Sequence, residues 1–406
     1  MQHTSCYICK SRRLEKFLDL GTQSPSDAFV REEDAGKAEA SYPLALCLCE
    51  ECGLVQLGFT VDPRELFTEY VYTTGMNNSL RENFTALVEE LGTRFALGST
   101  DFVVDIGSND GTLLKNYGKF GSKVLGIDPS SVAEVAKKEG VPTLREFFNE
   151  TTALSVLKTY GHARIITATN VFAHVPDLES FMRGIQALLS PDGVFVSESG
   201  YLLDMITTGG YDAVYHEHLR YYSLRPMLRL FSDFGFEIFD VRRIPSHSGS
   251  IRVSVGHKGA HLVSASVANL VAEEKKAGLE DLKTYTDFGE RAHAHMKELQ
   301  SLLLKLRHSG ARIVGIGAPA KGNTLLNSCG ITAQTVEALL EKSEYKIGLY
   351  APGSHIPVKN ESILFSEQPQ YALMLSWNLS EELIPKLRAK EYRGAFIIPF
   401  PKIRIE

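Results

Sequence analysis

Apolar positions along the chain change their spacing from region to region. Over residues 102–200, short apolar runs alternate with stretches whose apolar residues recur every three or four positions. The run 102–107 (FVVDIG) predicts a strand ending at glycine, and 111–117 predicts a helix. A second strand is expected at 123–128 (KVLGID), a helix from about 130 to 138, a third strand at 164–169, a helix at 178–189 and a strand at 194–198. Repeated strand–helix units give a mostly parallel, doubly wound sheet whose ligand lies at the carboxyl ends of the strands. Residues 265–308 carry helical periodicity and stop at Ser309-Gly310. New strands at 311–317, 371–375 and 395–399 then predict a second α/β unit. Before residue 76 the pattern is weak, and few regular elements are expected there. A helix is expected from near Asn78. Three regions follow: 1–75, 76–260 and 261–406, the last beginning with a helical connection.

Composition narrows the class. In 406 residues, 44% hydrophobic and 23% charged positions describe an ordinary globular chain with enough apolar matter for large cores. A net charge of -6 gives no general attraction to nucleic acid or to an anionic membrane. The first residues lack the basic start and apolar stretch of a signal peptide, and no apolar run is long enough to span a bilayer, so a cytoplasmic protein without membrane or nucleic-acid partners is expected. Its oligomeric state is expected to be a monomer or a small homo-oligomer.

Five of the six cysteines fall between residues 6 and 52. Cys6 and Cys9 form one C-x-x-C pair, and Cys49 and Cys52 form another. Each pair fits on a tight turn, and two such turns complete a tetrahedral four-thiolate zinc site, closed and therefore structural. Cys47 is a neighbouring competitor. A redox dithiol is disfavoured because neither pair leads into a helix in the thioredoxin manner.

The turn 105–111 (DIGSNDG) joins the first strand of the middle region to its helix. Gly107 and Gly111 allow close backbone approach to a ligand. Asp128, at the end of the next strand, suits the two hydroxyls of a ribose. The turn is not G-x-G-x-x-G, and Asp110 would repel a pyrophosphate, whereas a sulfonium-bearing nucleoside tolerates acids. These features point to S-adenosylmethionine, with Asp105, Gly107, Asn109, Gly111, Asp128 and Asn170 as cofactor-binding residues. His174, close behind Asn170, reads by itself as structural.

Tyr215-His216-Glu217-His218, with Tyr221 and Tyr222, is dense in titratable groups. If extended, His216 and His218 share one face, and Tyr215 and Glu217 the other. Three readings stand: a polar cluster at a domain seam, a His-x-His metal pair, or acid–base catalysis, in which a histidine abstracts a proton and a tyrosine stabilises an oxyanion. Upstream, Tyr70 and Tyr72 share a face if extended, either as packing or as part of a site. In the last region Gly317-Ala318-Pro319-Ala320-Lys321 precedes a helix and could cradle a diphosphate, though its order is not that of a Walker A loop. The turn 350–357 (YAPGSHIP) lies near the same strand ends.

Taken together, these segments resemble the S-adenosylmethionine-dependent nucleotide-sugar C-3-methyltransferases of the TDP-sugar type. The likeness runs through the C-x-x-C pairs, DIGSNDG, YHEH-x-x-YYS, HSGSIRV, GAPAKGNTLLNSCGI, YAPGSHIP and SWNL. It implies a zinc-binding N-terminal module, a class I methyltransferase Rossmann-like domain and a C-terminal Rossmann-like domain that helps hold a nucleotide-linked keto-sugar. It also implies that His218 is the base, that Tyr215, Glu217 and Tyr72 assist it, with Tyr70 as the fallback, and that Tyr222, Lys321, Asn323, Thr324 and His355 bind substrate. A ketone at C-4 would acidify the C-3 hydrogen; its removal gives an enolate that takes the methyl group. The nucleotide base stays open among TDP, GDP and CDP. Competing readings are an O- or N-methyltransferase on a similar sugar, an inactive zinc-stabilised binding protein, and a dinucleotide oxidoreductase. The last would need a G-x-G-x-x-G at 107 or 315, and neither is present.

Overall fold

The computed structural model describes residues 1–67, 74–76 and 78–406. Strands β1 (Leu14–Gln23), β2 (Tyr42–Cys49) and β3 (Val55–Leu57) form an antiparallel sheet. The expectation of few regular elements here is corrected. In β2, Leu44, Leu46 and Leu48 alternate with polar or half-buried positions and face one core, the period of a half-buried strand. Bulges between Lys16 and Leu18 and between Asp19 and Thr22 break the same period in β1, which is why it escapes a pattern search. A short helix, α1 (Pro63–Phe67), follows.

The middle region opens with α2 (Asn78–Arg94) and β4 (Phe102–Ile106), then α3 (Thr112–Lys115), β5 (Lys123–Ile127), α4 (Ala133–Lys138), β6 (Thr143–Leu144), α5 (Glu150–Tyr160), β7 (Ala163–Thr169), α6 (Leu178–Leu188) and β8 (Leu189–Gly200). Beyond them lie α7 (Leu202–Thr208), β9 (Arg220–Tyr221), α8 (Leu224–Asp233), β10 (Phe236–Ile244) and β11 (Ser250–His257). The seven-stranded sheet has the order β10-β11-β8-β7-β4-β5-β6; β4 to β8 run parallel, β11 lies antiparallel to β8, and β10 lies antiparallel to β11. All five residues of β4 are buried, as in a strand covered by helices on both faces. The chain reverses its direction of travel between β4 and β7, and the crevice opens there. The expected strands and helices of this region appear within a few residues of their predicted ends. The structure adds β6 and α5, the latter capped by the Asn149 side chain accepting from Thr152 N, a contribution of about 1 kcal/mol. α2 is fastened to the sheet by a buried group. Glu198 Oε2 accepts from Arg252 Nε (3.0 Å) and Nη2 (2.8 Å), and Asn83 Nδ2 donates to Glu198 Oε1 (2.9 Å). Removing one partner of such a buried pair costs roughly 3–5 kcal/mol.

The last region holds α9 (Ala265–Lys276), α10 (Leu282–His308), β12 (Ile313–Ile316), α11 (Ala320–Ser328), β13 (Leu339–Glu341), β14 (Val358–Asn360), α12 (Ser362–Glu367), β15 (Tyr371–Met374), α13 (Ser380–Ala389), β16 (Ala395–Ile398) and β17 (Arg404–Ile405). Its six-stranded sheet, ordered β14-β13-β12-β15-β16-β17, is parallel apart from β17.

The three regions interlock. β9, from the middle region, pairs with β3 and completes the first sheet (Val55 opposite Tyr221, Gln56 opposite Arg220). α10 lies on β1; Gly289 is required there, since a Cβ would stand 2.1 Å from the Phe17 carbonyl oxygen. Val30 bridges to Tyr350, and Trp377 Nε1 donates to Asp212 Oδ2 (2.6 Å). Among the described residues, no helix is long and apolar enough to cross a membrane.

Candidate active site

The four cysteines of the paired motifs converge. Their sulfurs all lie within 4.8 Å of one another, with Cys6 to Cys52 and Cys9 to Cys49 each at 3.5 Å. Four thiolates at about 2.3 Å from a zinc ion stand roughly 3.8 Å apart, so the donor set and its spacing fit that metal. Each knuckle is followed by a left-handed residue, Lys10 (φ 59°) or Gly53 (φ 79°), which turns the chain back so that both thiols face inward. Cys47 is not in the group; it sits on the opposite face of β2 from Leu46 and Leu48.

At the crevice, Gly107 (φ 68°), Asn109 (φ 50°) and Gly111 (φ 75°) are all left-handed. A Cβ on Gly107 would come within 2.2 Å of Val171 Cγ2. Asp128 Oδ2 accepts from Asn109 N (2.9 Å), and its Oδ1 accepts from Ser130 N (2.9 Å) and Ser130 Oγ. A carboxylate has about four lone-pair sites, so acceptor capacity remains for a diol. Asn170 is left-handed (φ 58°), with its N–H on the Glu198 carbonyl (2.7 Å). Asp105 is buried and accepts from Thr167 Oγ1 (2.6 Å); burial, then the Asp128 charge, pushes its pKa up to about 7. The acidic turn also has a use the sequence did not reveal. Asn109 Oδ1 accepts from Thr74 N (2.9 Å) and Asp110 Oδ2 from Gly75 N (2.8 Å), which fastens 74–76 onto the turn. Tyr70 and Tyr72, just before it, lie outside the described residues.

The segment 215–218 is not extended. It is a tight turn closed by His218 N donating to Tyr215 O (3.0 Å), so the two-faced arrangement is corrected. His218 Nδ1 lies 2.9 Å from the Ala213 carbonyl. A carbonyl only accepts, so Nδ1 carries the hydrogen and Nε2 is the acceptor of the neutral ring. The Tyr215 ring lies 3.9 Å from the His218 ring, His174 stacks at 5.0 Å, and Tyr221 meets it edge-on at 6.1 Å. His174 thus belongs to this cluster, although its sequence context marks it as structural; its place after a strand end in the doubly wound region was the available signal. Burial, then the Arg220 charge, lowers its pKa to about 4. Glu217 is buried, and burial, then the Asp27 charge, raises its pKa to about 8. A carboxyl held neutral near pH 7 can donate a hydrogen bond. His216 turns away into the seam with the first sheet, its Nε2 3.3 Å from Tyr42 O. Among the described residues the metal-ligating group is the cysteine cluster, and the histidines form none. Tyr222 is corrected: adjacent residues of a strand point oppositely, so with Tyr221 at His218, Tyr222 is buried against Phe172 (5.1 Å) and bonded by Arg220 Nε (3.0 Å).

The substrate residues expected in the last region divide. Lys321 is half-buried and interacts with Asp212, just before the 215–218 turn; burial lowers its pKa and Asp212 opposes that. Asn323 and Thr324 are fully buried and engage Ser26: Asn323 Nδ2 donates to Ser26 O (2.7 Å), and Thr324 Oγ1 is 3.1 Å from Ser26 Oγ. They seal the seam with the N-terminal region rather than line an opening. His355 (φ 52°) pairs with Glu39 (2.6 Å), whose other oxygen accepts from Gly353 N. Lys346, outside the expected set, donates to Ala318 O (2.9 Å) beside the same glycine-rich turn.

Three families match successive stretches of the chain: a zinc binding domain over 6–67, a methyltransferase domain over 76–241 and a C-methyltransferase C-terminal domain over 245–401. The C-methyltransferase NovU of Streptomyces niveus is 31% identical over 403 residues, covering 98% of this chain and 96% of that protein. A ubiquinone biosynthesis O-methyltransferase of Histophilus somni (strain 2336) is 32% identical over 136 residues, or 27% of this chain and 56% of that protein. The crystal structure of magnesium protoporphyrin IX methyltransferase from Synechocystis PCC 6803 with bound S-adenosylmethionine aligns over 48% of this chain and 89% of that one, at 12% identity and a TM-score of 0.35.

Proposed function

We infer the reaction from the premise that this chain belongs to the family of S-adenosylmethionine-dependent C-methyltransferases: it methylates C-3 of a nucleotide-linked 4-keto-deoxysugar, with His218 as the base. S-adenosylmethionine, when bound, supplies an electrophilic methyl group to a carbanion. The protein's own residues account for the rest. Asp128 and the left-handed turn 107–111 would hold the nucleoside, with Asn109, Asn170 and the end of β4 around it. His218 Nε2 takes the proton from the carbon next to the ketone. The Tyr215 hydroxyl, and Tyr72 with it, donates to the enolate oxygen as its charge develops. Glu217, neutral near pH 7, holds a sugar oxygen by donation. Lys321 serves the nucleotide end from beyond the carboxyl end of β12, and His355 serves it from the turn before β14, which meets the other end of α11. The zinc-binding module fixes the base of the catalytic turn through β3 and β9.

The observation that carries this reading is the fixed tautomer of His218, whose Nδ1–H is committed to Ala213 O beside a tyrosine ring. A base that must accept a carbon-bound proton needs such an arrangement, whereas methylation of an oxygen or nitrogen does not need carbon-acid chemistry. The test is incubation with S-adenosylmethionine and a panel of TDP-, GDP- and CDP-linked 4-keto-6-deoxysugars, read by product mass and a new C-methyl resonance. In deuterium oxide without cofactor, the enzyme should exchange the C-3 hydrogen, and His218→Gln should abolish exchange and lower kcat by about 10²–10⁴-fold while cofactor affinity stays. Methylation without exchange would move the assignment to an O- or N-methyltransferase; exchange that survives in His218→Gln would remove His218 from its role.

A further inference from the structure

The interior holds a cation that the chemistry above does not use. Arg220 is 1% exposed, and no carboxylate of the described residues pairs with it. Its Nη2 donates to the carbonyls of Phe172 (3.3 Å) and Val175, and its Nε to Tyr222 Oη (3.0 Å). Among the described residues its Nη1 has no hydrogen-bond partner. The guanidinium lies 4.7 Å from the centre of the Tyr7 ring, a cation–π seat. A buried charge without a counter-ion is retained only where the groups around it are worth its desolvation. Those groups come from two places that matter here.

The carbonyls belong to the turn 172–175, which carries His174 and follows Asn170. Such a short helical turn cannot satisfy them internally. Tyr7 sits between the ligands Cys6 and Cys9. Its N–H donates to Gln56 Oε1 (2.9 Å), and Gln56 Nε2 returns to Ser5 O (3.2 Å). Gln56 stands opposite Arg220 in the β3–β9 register. The backbone repeats the link, with Leu57 N on Leu219 O (3.0 Å) and Leu219 N on Ala173 O (3.0 Å). One continuous set of contacts therefore runs from the cysteine knuckle through Arg220 to the turn whose histidine stacks on His218.

We propose that Arg220 is a positioning residue for methyl transfer: seated on the knuckle's Tyr7 ring, it grips the 172–175 turn and sets His174 against His218. The role rests on the assignment of His218 as the base. Among the described residues, the titratable groups around His174 include His218 on its ring face, Glu217 across the small cleft it shares with Thr60, Pro63 and Pro176, and Arg220 behind it. Burial, and then Arg220 behind the ring, disfavour the imidazolium of His174.

The experiment is a histidine-resolved NMR titration of the full-length, zinc-loaded protein, with His174 assigned by His174→Gln. Arg220→Met should raise the His174 midpoint by about one pH unit or more and move the His218 resonances, while zinc content and S-adenosylmethionine affinity match wild type. Arg220→Lys, which keeps the charge and loses the two-carbonyl grip, should restore the His174 midpoint but not the His218 resonances. Unchanged titration of both histidines in folded Arg220→Met overturns the proposal, as does an equal loss of zinc or cofactor binding, which would mark Arg220 as a general fold residue. If Arg220→Met does not fold, Tyr7→Leu replaces it: the same shifts at smaller size, with Tyr7→Phe like wild type, support the role, and titration identical to wild type in Tyr7→Leu overturns it. Because no sugar is needed, these outcomes are independent of the substrate panel. A panel without product would change the acceptor and leave the positioning role standing.

Discussion

Glu217 shows how burial gives a common residue an uncommon state. Its pKa of about 8 in the fold lies above the value of about 4.3 for an exposed glutamate. The folded state therefore binds the proton more tightly than the unfolded state. Its contribution to stability is complete below about pH 4.3 and is lost as pH rises through about 8. Glu217→Gln keeps the neutral shape and removes the titration. The thermal midpoint of the variant should match wild type near pH 5 and exceed it increasingly toward pH 9; a gap that does not grow with pH would show that Glu217 is charged in the fold. The identity of such a residue was legible in YHEH, but its state was not. Nothing within four residues of Glu217 predicts that it is buried or that Asp27 lies near enough to raise its pKa.

The strand–turn–helix unit at the crevice was legible because its determinants are local. FVVDIG supplies a fully buried strand, and glycines fall where φ is positive. Gly107→Ala brings both penalties of that design: a left-handed alanine costs on the order of 1–3 kcal/mol, and its Cβ meets Val171. S-adenosylmethionine affinity measured by calorimetry should fall sharply, with a lower thermal midpoint. Val171→Ala in the same chain should restore part of both, because it relieves the collision and leaves the backbone strain. Restoration to the full wild-type value would show that the dihedral angle is unimportant; no restoration would show that Val171 is not the obstacle. The 215–218 turn behaves in the opposite way. The His218 ring is held by the Ala213 carbonyl, and the residues facing it include His174, about forty positions earlier, so alternation along YHEH placed the two histidines together when the fold separates them.

In the whole molecule, the first sheet borrows β9 from the middle region, so metal binding near the N-terminus and order in the 219–222 segment are coupled. Stripping zinc with a strong chelator should speed amide exchange over 44–57 and also over 219–222, while β12, β15 and β16 keep their protection. Exchange confined to 6–57 would uncouple the two. The loss should stay local, because β1 keeps its packing on α10, where Phe17 meets Tyr285 at 5.2 Å.

The sequence by itself determined the cysteine tetrad, the doubly wound middle region, its glycine-bearing turn at 105–111 and the second α/β unit. Each rests on spacing over a few residues, where local sterics and ligand geometry leave little choice. Only the tertiary structure decided which side chains surround those motifs. It made Tyr222, Asn323 and Thr324 interior fasteners, brought His174 to His218, and placed Arg220 between the zinc knuckle and the 172–175 turn. Those assignments depend on contacts between segments tens to hundreds of residues apart, and the packing that creates them has no period along the chain.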